Sequence, residues 1–234
     1  MMRLQKFLAH AGLCSRRKAE EYIVAGFIKV NEQIVTELGT QVDPACDKIY
    51  FNDEPICLKE DTSKIYIAIN KPKGYVTSCS QDNSKIILDL IDINARIYPV
   101  GRLDKDSTGL LLLTNDGQLH NRMSHPSFNH EKEYIVTTCQ PIHNSALKKM
   151  AQGIQIEQTI TRKADVTRMS KNKFRIVLKQ GLNRQIRKMV EAVGNSVDSL
   201  CRVRMANIRL GRLKEGNWRY LTSDEIIALT KLQG

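Results

Sequence analysis

The amino-acid sequence predicts an α+β fold in two parts: a small αα-β module, then a larger domain with a central mixed or antiparallel sheet and flanking helices. Three observations carry this. Helical apolar spacing opens the chain, and short apolar runs of strand length with only a few helices fill most of the remainder. The polar stretch Lys59-Glu60-Asp61-Thr62-Ser63-Lys64 separates the two regimes, placing the domains at residues 1–60 and 64–234. The 41% apolar content of the 234 residues is enough for a core of ordinary size.

In the first part, Leu4, Phe7, Leu8 and Ala11 fall at i, i+3, i+4 and i+7, which predicts a helix over residues 3–11 that Gly12 can end. Ser15 is placed to cap a second helix, with Ala19, Tyr22 and Ile23 on one face and Gly26 as the stop. Strand-like runs follow at residues 27–31, 34–36 and 48–51, the last after a turn at Asp43-Pro44. In the second part, strands are expected at 65–69, 97–100, 110–113, 134–138, 164–169 and 174–178. The turn Lys71-Pro72-Lys73-Gly74 breaks the first of these, and Asn115-Asp116-Gly117 closes the third. Helices are expected at 118–123, at 145–150, and from an Asn183 cap to Val193, ending at Gly194. Thr222 and Glu225 have capping-box spacing for a final helix.

Charge narrows the function. Residues 120–234 hold 21 basic and nine acidic side chains, so the whole net excess of +11 lies in that tract. A tract of this kind concentrates a polyanion through counterion release, although many basic proteins bind no nucleic acid. No run approaches membrane-spanning length, and no basic amphipathic helix with a large apolar face suggests a lipid surface. Six cysteines (Cys14, Cys46, Cys57, Cys79, Cys139, Cys201) form no CxxC pair and none sits beside a His at zinc-ligand spacing. Scattered thiols without a signal peptide fit a reducing cytoplasm. The histidines at 10, 120, 125, 130 and 143 are equally scattered, and none need be catalytic.

Arg16-Arg17-Lys18 opens the second helix, where cations oppose the helix dipole unless an anion binds there. Three solvated charges would account for such a cluster alone. The wider pattern RLQKFLAHAGLCSRRKAEEYIVAGFIKVNEQIV, with a glycine turn and a closing strand, resembles the S4 RNA-binding module over residues 2 to 56. That resemblance implies that Arg3, Arg16, Arg17 and Lys18, with Lys29 and Asn31 nearby, face RNA. The acidic excess of the module then requires its carboxylates to lie elsewhere.

Gly101–Leu110 is a polar loop between two apolar strands, with Asp104 and Asp106 flanking Lys105. By itself it reads as a solvated turn. However, GRLDKDSTGLLLLTNDG resembles the signature loop of the RsuA/RluB/RluF family of pseudouridine synthases. The likeness continues in order through NKPKG (70–74), EKEY (131–134), NRQIRKM (183–189) and LGRLKEGNWRYLT (210–222). It implies isomerisation of a uridine in structured RNA without metal or organic cofactor. Asp104 is then the nucleophile, Tyr134 the active-site aromatic, and Arg187 the motif arginine expected to pair with Asp104. A neighbouring guanidinium favours the ionised form of a carboxylate, which the chemistry needs. A ring at Tyr134 can stack on an extruded base, and its hydroxyl can take part in proton transfer. Arg102, Lys132, Arg184 and Lys188 are further candidates for RNA contact, with Asn70, Lys71 and Pro72 shaping the floor.

The strings RIYPVGRLDKDS, NHEKEY and NRQIRKM are most similar to the large-subunit branch, which implies 23S ribosomal RNA as substrate. A 16S-directed enzyme, a transfer RNA substrate and a non-catalytic ribosome-assembly factor stay open at this point. A monomer is expected.

Overall fold

Strand β1 (Met2–Arg3) runs directly into α1 (Leu4–His10), which buries Leu4, Phe7 and Leu8 as the spacing requires. In the computed structural model the described residues are 1–58, 63–79, 84–124 and 129–231; residues 59–62 of the expected linker and His125 lie outside them. Helix α2 (Arg16–Val24) begins where Ser15 Oγ accepts from Lys18 N at 3.1 Å, and Gly26 follows it with φ +77°. Its Ala19 and Ile23 join Leu4, Phe7 and Leu8 in one cluster with Ile28, Val42 and Ile49.

Strands β2 (Ile28–Val30), β3 (Gln33–Ile34), β4 (Gln41–Val42), β5 (Ile49–Phe51) and β6 (Glu54–Ile56) complete this unit. An antiparallel sheet runs β3-β2-β5-β6, and β4 pairs with β1. The strand expected at 34–36 instead ends at Ile34. Strands β1, β4 and β6 escape a reading of the sequence because two or three residues define no period, and Pro55 restricts β6 to the sheet edge. Tyr22, Phe27 and Phe51 form an aromatic trio, with centroids 4.9–6.3 Å apart. The chain divides into two compact units, Met1–Ser63 and Lys64–Gly234.

The second unit contains β7 (Tyr66–Lys71), β8 (Tyr98–Val100), β9 (Thr108–Thr114), α3 (Gly117–Ser124), β10 (Lys132–Thr138) and α4 (Asn144–Gln152). It continues through β11 (Gln155–Ile156), β12 (Thr159–Ile160), β13 (Asp165–Ser170), β14 (Lys173–Leu178) and α5 (Gln185–Glu191). Strands β15 (Val197–Met205), β16 (Ile208–Arg209) and β17 (Trp218–Tyr220), with α6 (Ser223–Lys231), close it.

Nine described strands form one sheet in the order β13-β14-β10-β15-β9-β7-β17, with β16 on β15 and β8 on β9. Every pairing is antiparallel except β15 with β9. This mixed sheet is therefore two antiparallel halves joined at a short parallel seam. The seam brings Arg202 opposite Gly109, so close that a Cβ on Gly109 would lie 2.3 Å from the Arg202 carbonyl oxygen. Gly109 also has φ +104°, so no other residue fits there without strain.

Several expectations change. Asn183 does not cap α5: Arg184 occupies that position in the left-handed region (φ 49°), and the helix stops at Glu191 rather than Val193. The Gln185 side chain takes up part of the capping role, accepting from Leu182 N at 3.1 Å. Strand β7 continues to Lys71, past the expected break. Strand β15 answers to no expectation, because VDSLCRVRM carries an acid and two arginines and reads as surface. The Thr222–Glu225 capping box is present, with reciprocal bonds of 2.9 and 3.3 Å.

Candidate active site

Asp104 lies on the loop between β8 and β9, the halves of which are anchored by buried Leu103 and Ser107. A turn closes directly after it, with Ser107 N donating to the Asp104 carbonyl at 3.0 Å. The Asp104 side chain is 29% exposed, reachable by a substrate yet partly withdrawn from water.

Side chains on other elements hold the main chain of this loop. Thr77 Oγ1 donates to Leu103 O (2.8 Å) and accepts from Leu103 N (3.2 Å). Lys71, fully buried at the end of β7, donates to the carbonyls of Pro72 (3.0 Å), Lys105 (3.4 Å) and Ser107 (2.8 Å). Burial pushes the Lys71 ammonium down to about 8, while the carboxylates of Asp104, Asp106 and Glu215 pull it up and Arg202 lowers it further. Arg187 Nη2 reaches Asp106 O at 3.3 Å and Ser107 Oγ at 3.4 Å.

This corrects the expected pairing of Arg187 with Asp104. The guanidinium beside the Asp104 carboxylate is that of Arg184, whose Nη1 lies 3.9 Å from both Asp104 Oδ2 and Asp106 Oδ2. The reason is the left-handed turn at Arg184. It starts α5 one residue later than the sequence suggests and aims residue 184 at the carboxylates, leaving residue 187 over the loop backbone.

Tyr134 is half-buried on β10 and packs against two clusters, that of α4, α5 and β14 and that containing Leu103. The EKEY segment shows why its residues alternate. Glu131 and Glu133 accept from Arg204 of β15 at 3.1 and 2.8 Å, while Lys132 and Tyr134 turn to the other face. Burial, then the charge of Arg202, pushes the Lys132 ammonium below the ordinary lysine value. Lys132 lines a cavity of about 70 Å³ with His130, Lys179 and Gly181. Arg102 is exposed, and Lys188 pairs with Glu157 at 2.7 Å. Asn70 donates to Leu213 O at 2.8 Å, joining NKPKG to the C-terminal motif.

In the N-terminal unit, Arg3, Arg16, Arg17 and Lys18 are exposed. Lys6 and Arg16 both act on His10, whose pKa is lowered first by burial and then by these two charges, so α1 and α2 share a cationic side. Lys18 pairs with Glu21 at 2.7 Å and lies over the Tyr22 ring. Lys29 pairs with Asp53, and Asn31 donates to Asp47 at 2.8 Å, so these two are engaged in holding turns.

Sequence reasoning misses Thr77, Arg202 and the loop-holding part played by Lys71. For Lys71 a signal exists, since a lysine continuing an apolar strand must find partners. Among the described residues, no helix is long and apolar enough to cross a membrane, and no three His, Cys, Asp or Glu side chains gather as a metal site.

A partly shielded carboxylate thus stands on a loop held by buried donors, in a chain that also carries an α/β module with a cationic side, and the class that fits this fold is an RNA-modifying enzyme. The chain belongs to the RNA pseudouridylate synthase family: that family's model matches residues 65–192, and the S4 domain model matches residues 2–49. It is 42% identical to the dual-specificity RNA pseudouridine synthase RluF of Escherichia coli K12, over 99% of this chain and 79% of that one. It is 39% identical to ribosomal large subunit pseudouridine synthase B of Bacillus subtilis, over 99% and 97%. A crystal structure of a pseudouridylate synthase superposes with a TM-score of 0.72 at 34% identity, covering 98% of this chain and all of that one.

Proposed function

We propose that this synthase converts one uridine of ribosomal RNA, in the large-subunit 23S molecule, to pseudouridine in the cytoplasm, with Asp104 as nucleophile. The observation that carries this is the Asp104 carboxylate: partly withdrawn from water, beside Arg184, on a loop whose main chain Lys71, Thr77 and Arg187 hold. The names of the relatives support the substrate, one being a large-subunit enzyme. The dual specificity in the other's name favours a second RNA, for which a transfer RNA is the natural candidate.

In this reading the carboxylate adds to the extruded nucleoside, the N-glycosidic bond breaks, and the base turns and rejoins the sugar through carbon. The carboxylate then leaves, the proton on that carbon is lost and the ring nitrogen freed from the sugar takes up a proton, so the reaction is an isomerisation needing no co-reactant. Tyr134 stacks on the base and serves proton transfer. Arg184 and Arg187 supply positive charge at the site, and Arg102, Lys132 and Lys188 meet neighbouring phosphates. Residues 1–60 dock the RNA through Arg3, Arg16, Arg17 and Lys18, and residues 64–234 act as the catalytic domain.

The test is single-turnover pseudouridine formation in protein-free 23S ribosomal RNA by the wild type and Asp104→Asn at matched RNA binding. Conversion of one uridine by the wild type and none by the variant is expected. Equal conversion by both removes Asp104 from the mechanism, and none by either, in RNA or in assembling subunits, leaves an RNA-binding factor.

A further inference from the structure

We propose that Arg202 is a positioning residue for the isomerisation: a buried guanidinium that clamps both ends of the nucleophile segment and so fixes where the Asp104 carboxylate stands. The proposal rests on the assignment of Asp104 above.

Arg202 is 1% exposed, in the middle of β15. The parallel seam pairs only residues 108 and 109 of β9 with β15, and beyond it Arg202 Nε takes over, donating to Leu110 O at 2.7 Å. Its Nη1 reaches Arg102 O at 3.4 Å. One side chain therefore touches the main chain two residues before Asp104 and again just after the loop rejoins the sheet. Arg202 also stands directly opposite Tyr134 in the β10–β15 ladder, so the two side chains share a face of the sheet. The clamp lies between the aromatic and the nucleophile loop.

Packing does not explain an arginine here. Its neighbours at the buried positions of β15 are Leu200 and Met205, ordinary apolar side chains. Nη2 is buried without a hydrogen-bond partner, and among the described residues no carboxylate lies within ion-pair distance of the guanidinium. Its charge is felt by Lys71 and Lys132, both already disfavoured as cations by burial. An uncompensated buried cation is costly, so packing alone gives no reason to keep one here. What only the guanidinium provides is two donors spaced to span the loop neck. Displacing a reacting group by about 1 Å costs on the order of 10²-fold in rate.

The experiment compares wild type, Arg202→Met, Arg202→Lys and Asp104→Asn, reading RNA dissociation constant, single-turnover rate at saturating 23S RNA, and melting temperature. For Arg202→Met the expected result is a rate lowered by about 10²-fold, with the dissociation constant within about twofold and the variant still folded at the assay temperature. Arg202→Lys keeps the charge but replaces the two spaced donor nitrogens with one, and should recover part of that rate. A merely structural arginine would instead lower melting and leave the rate of bound, folded enzyme intact, which overturns the proposal. If Arg202→Met does not fold, Arg202→Lys decides: a bound complex at least about tenfold slower supports the clamp, and wild-type speed overturns it. No conversion by the wild type, or full conversion by Asp104→Asn, overturns the Asp104 assignment itself and so is distinguishable from failure of the clamp.

Discussion

The cations at the start of α2 and those around Asp104 are the same residue types in opposite environments. Arg16 and Arg17 stand in water at a helix N-terminus, whereas Lys71 and Arg202 are buried and bound to backbone carbonyls of one loop. Exposed cations are solvated, screened by salt and individually weak, so they contribute affinity by number. Buried cations have no water to fall back on, and their only satisfied state is the geometry in which the loop carbonyls are in place. Affinity and precision are thus assigned to different physics, and each variant should disturb one and spare the other.

The largest effect is expected at the proposed nucleophile: Asp104→Asn should lower turnover by at least about 10³-fold, the scale on which losing a nucleophile acts, while filter-binding affinity for RNA is kept. Next comes Lys71→Met, which strands the carbonyls of Pro72, Lys105 and Ser107. It should cost about 1–3 kcal/mol in denaturant unfolding, the penalty for unmade buried hydrogen bonds, and slow the bound complex. Wild-type enzyme should also lose single-turnover rate as pH rises through about 8, where Lys71 gives up its charge and one of its donors. A rate that keeps rising to pH 9 would separate the loop's geometry from Lys71 protonation.

Smaller, and of the opposite kind, is the effect of Arg16→Ala with Arg17→Ala. RNA binding should weaken and the slope of log affinity against log salt should flatten by roughly 1.4–1.8, about 0.7–0.9 for each phosphate no longer neutralised. The rate at saturating RNA should not move. If that rate falls instead, these arginines do more than dock. The smallest change is expected for Glu157→Ala, which releases Lys188 from a pair whose acid is 70% exposed; thermal unfolding should shift by no more than an exposed pair contributes, about 0–1 kcal/mol.

Local rules carry much of the fold. The unbroken apolar run of β9, the Ser15 cap of α2 and the Thr222–Glu225 box each depend on residues within a few positions of one another, so spacing is sufficient to read them. The Asp104 loop is legible as polar residues between two strands, and its chemistry only through resemblance to a family. Strand β15 is not legible: its arginines look like surface until the strands on both sides are known.

Sequence alone is therefore enough for the longer helices and the apolar strands, for the two-part organisation and for singling out Asp104 as the candidate carboxylate. Which arginine faces Asp104, the inward turn of Lys71 and Arg202, and the meeting of the two halves of the sheet at Gly109 follow only from the folded chain. The reason is distance along the chain. Helix caps and strand periods are written within one turn or one strand, but the bond from Arg202 to Leu110 joins residues 92 positions apart, and no local pattern encodes which buried carbonyl a long, flexible cation will meet.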